Sequence, residues 1–226
     1  MEMTKKIFIY IVFINFAFSY SEINYKIKYF GIHVANCIIT NKDTIYNNSK
    51  SIKINFSVKS KKIIKHFFPI ENSYTIILGP SDNILYFKKN TSQPNMYNFL
   101  ESEIRNNKVY YTGTEFEIHD EYYNIFSLLY LLMNKKENIP DIFILEREGS
   151  LYDGSIKNVG NSRYTLDIDP KNYKPGLIKH TDIFTWAIYM EGATRKISLN
   201  KKNKLIEKCS FSKGFTILSA ILDSYK

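Results

Sequence analysis

Groups that could do chemistry crowd most closely at Glu115-Phe116-Glu117-Ile118-His119-Asp120. In a strand, successive side chains alternate between faces. Glu115, Glu117 and His119 would then share one face and could hold a divalent cation or serve a hydrolase, while Phe116 and Ile118 would face a core. The plainer reading is the wet side of an ordinary strand, so no metal site is expected. The other histidines, His33, His66 and His180, stand alone, and no two of the four have a metal-ligand spacing. Glu146, Glu148, Asp167 and Asp169 alternate with apolar residues. Paired acid catalysis needs carboxyls that converge in a cleft with separated pKa values, and alternation alone does not indicate that. Neither a G-x-S-x-G elbow nor a G-x-x-x-x-G-K phosphate loop occurs. We therefore expect no catalytic residues, no cofactor and no enzymatic activity.

The two cysteines, Cys37 and Cys209, lie in strand-like segments far apart in the chain. They either close a long loop as a disulfide or stay as buried free thiols, the latter being favoured. Whether their strands are neighbours is not written in the spacing.

Most of these residues sit on a period of two. Ile23, Tyr25, Ile27 and Tyr29 alternate with polar residues, as do Ile52, Ile54, Phe56 and Val58, and again Tyr164, Leu166 and Ile168. Such alternation puts one face of each strand on a core and the other in water, as antiparallel sheets allow. Further strands are expected at 33–40, 73–79, 83–88, 97–105, 108–119, 141–148, 151–158, 183–190, 194–199, 204–211 and 214–222. The breaks between them include Asn41-Lys42-Asp43, Gly79-Pro80-Ser81-Asp82 and Asn200-Lys201-Lys202-Asn203.

A single segment departs from this pattern. Ile125, Leu128, Leu129 and Leu132 recur at helical spacing, Asp120 stands where a cap is needed, and Pro140 prevents continuation. Its other side carries Tyr122, Phe126, Tyr130 and Met133, and a helix apolar all round is normally buried. One helix over roughly 121–136 enclosed by a curved sheet is expected.

The start of the chain addresses it. Lys5 and Lys6 precede an apolar run, Ile7 to Ile14, and Ser19-Tyr20-Ser21 gives a small-x-small exit before Glu22. This is the pattern of a secretory signal peptide over 1–21, too short for the about 20 apolar residues of a membrane span. Residues 22–226 then form a single domain, periplasmic or secreted. The chain carries a net charge of +9, but its lysines are scattered, and abundant Lys, Asn, Ile, Tyr and Phe together reflect an AT-rich coding bias. Pairs such as Lys61-Lys62, Lys88-Lys89 and Lys201-Lys202 are placed in loops or at element ends. A basic protein of this kind meets water first and anionic lipid or glycan second. Nucleic acid is not expected as a partner, and peripheral membrane contact is open.

Several stretches together resemble a bacterial envelope family, domain of unknown function 3108. They are Tyr25-x-Ile27-x-Tyr29-Phe30-Gly31-Ile32-x-Val34-Ala35, segment 50–88 with Phe67-Phe68-Pro69-Ile70 and Tyr74, the helix Ile125 to Leu132, Ile183-Phe184-Thr185-Trp186-Ala187-Ile188-Tyr189 as a closing Trp strand, and Arg195-Lys196-Ile197-x-Leu199 with Gly214 to Leu222. The usual Asp-Pro-Leu-Ser opening of the family's helix is absent. The resemblance implies strands around one helix, similar to the open barrels of periplasmic lipoprotein carriers, and supplies no catalytic residues.

The expected architecture is therefore all-β and mainly antiparallel, an open barrel or clamshell of about a dozen strands with one buried helix. The expected function is binding of an apolar or amphipathic ligand, a lipid or acyl chain, in a cavity lined by Phe126, Leu129, Tyr130, Met133, Phe184 and Trp186. The alternatives are an interaction module that meets another envelope protein and a glycan or lipid hydrolase.

Overall fold

The computed structural model describes residues 22–105, 108–112, 114–117, 122–134, 139–169 and 182–226. The expected leader, 1–21, therefore lies outside the described residues, as do His119, Asp120 and His180. The first half of the chain supplies β1 (Glu22–Tyr29), β2 (Ile32–Tyr46), β3 (Ser49–Ser60), α1 (Lys62–Lys65), β4 (Glu71–Leu78), β5 (Ile84–Gln93), β6 (Met96–Arg105), β7 (Lys108–Tyr111) and β8 (Thr114–Glu117). The second half supplies β9 (Tyr122–Tyr123), α2 (Ile125–Asn134), β10 (Ile142–Arg147), β11 (Ser150–Asn158), β12 (Arg163–Asp169), α3 (Ile183–Tyr189), β13 (Thr194–Leu199), β14 (Ile206–Lys213) and β15 (Thr216–Tyr225).

All fifteen strands join one open sheet in the order β8-β7-β6-β5-β4-β3-β2-β1-β15-β14-β13-β12-β11-β10-β9. Except for β8 and β9, each strand pairs with its neighbours in sequence, and the two ends of the described chain pair with each other as β1 and β15. The open edges, β8 and β9, are consecutive along the chain, so the sheet curls back on itself. Every pairing is antiparallel except β9 with β10, which α2 connects as a parallel crossover. Alternation sets the registers: in β1, Ile23, Tyr25 and Ile27 face the core while Asn24, Lys26 and Lys28 lean outward.

Helix α2 occupies the concave side of the sheet, with every residue buried except Leu129 and Asn134. Phe126 stacks on Tyr74 at 4.1 Å between ring centroids and packs against Phe56 and Phe87. The cap is Asn124. Its Oδ1 accepts from the Ser127 N–H at 2.8 Å, and its own N–H donates to Ser127 Oγ at 3.1 Å. This reciprocal box starts the helix later than expected, and Tyr122 and Tyr123 are strand instead.

Three further expectations are corrected. Asn41-Lys42-Asp43 does not break the chain: β2 continues through it paired with β3, and the turn falls at Asn47-Asn48, both with positive φ. Residues 183–189 are helix α3 rather than a closing strand, so α2 is not the lone helix. Aromatic and β-branched residues favour strands only weakly, and here a cap prevails: Asp182 Oδ1 accepts from the N–H groups of Phe184 at 3.0 Å and Thr185 at 3.1 Å. Arg195 fixes the far end of α3. Its guanidinium donates to the carbonyls of Ile188, Ala193 (3.0 Å) and Met190 (2.9 Å). Finally, Lys89 is neither in a loop nor at an element end. It stands in the middle of β5 and is fully buried.

Candidate functional site

The hollow of the sheet has an apolar half and a polar half. In the apolar half, β1, β2, β3, β14 and β15 face α2 and α3 around a cavity of about 100 Å³. Sheet residues Tyr25, Cys37, Cys209 and Ala220 form one wall, and Phe126, Leu129, Met133 and Phe184 form the other. The Tyr25 hydroxyl donates to Met133 Sδ at 3.5 Å, and burial pushes its pKa up; Tyr74 and Ser219 also border the cavity. Leu129, Phe184 and Ala220 are half-buried although they face inward, which marks where the cavity reaches solvent between the helices and β15.

Four of the six expected lining residues are thus brought together, and two are not. Tyr130 is buried but leans to the flank of α2, where Asp82 and Asp43 add to the effect of burial in raising its hydroxyl to about 12. Trp186 is 45 % exposed. As strand residues, Phe184 and Trp186 would share a face. On α3 two residues make half a turn, so Phe184 and Ile188 face the cavity and Trp186 faces water.

Cys37 and Cys209 both line the cavity as free thiols, and burial raises each to about 12. A thiol so high supplies almost no thiolate for reaction near neutral pH. Folded protein should therefore react only slowly with iodoacetamide, and protein purified in air should show both thiols free when titrated in denaturant. A mass lower by two hydrogens and no titratable thiol would contradict this arrangement.

The polar half is a cluster that crosses the curled sheet. Lys89, from β5, forms ion pairs with Glu148, in the β10–β11 turn, and with Asp182 at 2.9 Å, the cap of α3. Burial raises the Asp182 carboxyl, but Lys89 beside it and the bonds from Thr185 outweigh that and hold it below its ordinary value. Next to this triad, the Tyr111 hydroxyl of β7 and the Gly149 N–H (2.7 Å) donate to Glu146. Burial raises Glu146 to about 7, the nearby Glu148 adds to the rise, and the two donors oppose it. The turn that presents these carboxylates is strained, with Glu148 at φ +53 and Gly149 at φ +86. The type I′ geometry favours Asn, Asp or Gly at its first position, and Glu148 occupies it in reach of Lys89.

A second void of about 20 Å³ separates Lys89, Asn124, Glu146 and Tyr189, and it shares Phe126 with the apolar cavity. Asn124 Nδ2 and the Tyr189 hydroxyl border it without a protein partner. One water fits such a space and would satisfy both.

Among the carboxylates singled out from the sequence, Glu146 and Glu148 therefore converge, but in a closed ion-paired core rather than a cleft. Asp167 lies outside with Lys157 at 3.2 Å. Glu115 and Glu117 belong to edge strand β8. No group of three or more His, Cys, Asp or Glu that could hold a metal occurs among the described residues. The Lys89 cluster was missed because Lys88-Lys89 reads as a solvated pair. The available signal was phase: Lys89, Thr91 and Gln93 continue the inward positions of Phe87.

The described chain is thus an open, mostly antiparallel β-barrel-like domain around an apolar cavity. No family model matches it, and no curated protein matches it. Among solved structures, it is similar to a β-barrel-like protein of domain of unknown function 1849 from Brucella abortus, at 7% identity and a TM-score of 0.49, covering 91% of this chain and 96% of that chain.

Proposed function

We propose that this chain is a non-enzymatic protein of the bacterial envelope, periplasmic or secreted, that binds an apolar or amphipathic ligand in the sheet cavity. The cavity carries this reading: it is walled by apolar atoms, half-buried at Leu129, Phe184 and Ala220, and bordered by no charged group among the described residues. Its volume approaches the ~150 Å³ that takes up benzene in other cores. It suits a ring or a few methylenes, each worth about 0.8 kcal/mol on leaving water, so a longer acyl chain would run out through the mouth with its headgroup in solvent. The leader-like start supports secretion, and membership of the family of domain of unknown function 3108 is part of the same proposal.

The test is native mass spectrometry of protein released by a secreting host and purified without detergent. A reproducible adduct of lipid mass is expected. A bare mass that stays bare after incubation with membrane extract would contradict the proposal.

A further inference from the structure

One rim of the sheet combines exposed aromatic side chains with basic charge, and the nearest carboxylate in sequence, Glu71, is ion-paired with Lys59. The β1–β2 turn, the α1 connection between β3 and β4, and the β14–β15 turn stand side by side there, because the sheet runs β4-β3-β2-β1-β15-β14. Each is two strands from the next, about 10 Å. Their backbones are joined: the Phe30 N–H donates to the Ile217 carbonyl at 3.0 Å and the Lys61 N–H to the Val34 carbonyl at 2.9 Å.

Each connection pushes a phenylalanine into water. Phe30 is 49 %, Phe67 85 % and Phe215 90 % exposed, with Ile32 and Ile63 exposed beside them. Phe30 also sits at φ +49, ahead of Gly31 at φ +79. A bulky residue in the left-handed region is strained, and such strain persists where function selects the side chain. Lys61, Lys62, Lys65 and Lys213 flank these tips, and segments 29–33, 61–70 and 213–217 contain no Asp or Glu. The turns of the opposite rim are instead built on polar residues, Asn47-Asn48, Ser81-Asp82 and Lys201-Lys202-Asn203.

We infer that this rim docks the protein on an anionic lipid surface. Phenylalanine tips bury at the boundary between headgroups and acyl chains, and each lysine gains from negative lipid. A protein partner fits less well, since interface cores are depleted in lysine. Ile27, Val58, Phe211 and Leu218, which line the cavity, lie at the same ends of their strands, so docking sets the cavity over the bilayer. The inference stands whether or not the cavity takes a ligand.

Sedimentation of the released protein with phosphatidylcholine vesicles, with and without phosphatidylglycerol, tests it. Binding is expected to be about tenfold or more tighter with phosphatidylglycerol, and high salt should weaken it. The double variant Phe67→Ser, Phe215→Ser and the triple variant Lys61→Glu, Lys62→Glu, Lys65→Glu should each lose about tenfold or more. The melting temperature of the phenylalanine variant should be unchanged, since both rings point to water, and the lysine variant should still unfold cooperatively. Equal binding of wild type and variants would overturn the inference. So would no preference for phosphatidylglycerol, or a dimer in sedimentation that Phe67→Ser, Phe215→Ser dissolves.

Discussion

Lys89→Met is expected to lower the stability of the fold by about 3–5 kcal/mol, the usual consequence of removing one member of a buried ion pair. Lys89 pairs with two carboxylates that are themselves buried, Glu148 and Asp182. Without it they face each other, and one must take up a proton or draw in water. The damage spreads because Asp182 is also the cap of α3, and α3 supplies Phe184 and Ile188 to the cavity wall. Chemical denaturation at neutral pH measures the loss. Adding Glu148→Gln to Lys89→Met should recover part of it, since the variant then buries one charge less. A loss below about 1 kcal/mol would show that the triad is a solvated pair rather than a buried one.

The second large effect belongs to Glu146 and depends on pH. Its folded pKa of about 7 lies above the ordinary value of 4.5, so between those values the folded state binds a proton that the unfolded state releases. The stabilisation from this proton is complete below about 4.5 and is lost as the pH rises through 7. The whole span corresponds to about 3 kcal/mol. Glu146→Gln keeps an acceptor for Tyr111 and Gly149 and removes the titration. The variant should show a flatter stability profile from pH 5 to 8, as estimated from denaturation midpoints, and should be the more stable protein at pH 8. Parallel profiles for wild type and variant would contradict the assignment. Tyr111 and Glu146 also lie on strands near the two open edges of the sheet, so loosening there should appear first as faster amide exchange in β7 and β10.

Strands were the readable part of this sequence, because one residue in two faces a core and the alternation survives in β1, β3, β12 and most of the others. Helix α2 was readable for the same reason at a different period. Asp120 has the side chain of a cap and points to an early start, whereas Asn124 and Ser127 form the reciprocal box closer to the apolar run. Helix α3 was not readable. Seven residues with three aromatic side chains and two isoleucines carry a strand signal, and the Asp182 contacts that overrule it are invisible until the chain is folded. That error of period put Trp186 in the cavity. Phe126, Leu129 and Met133 share one face of α2 and border the cavity. Lys89 shows the remaining limit. Alternation could have put it inside, but its two carboxylate partners come from a turn and a helix cap far along the chain.

The most direct test of the cavity as a binding site is a calorimetric titration with decanoic acid, comparing wild type with Ala220→Phe. The new ring would project from β15 into the half-buried mouth between β14, α2 and α3. Saturable binding by the wild type is predicted, with a fall of about tenfold or more in the variant as the ring occupies the space the ligand needs. Unchanged melting of the variant would confirm that the fold is intact. Binding of equal strength in both proteins, or none in either, would contradict the account.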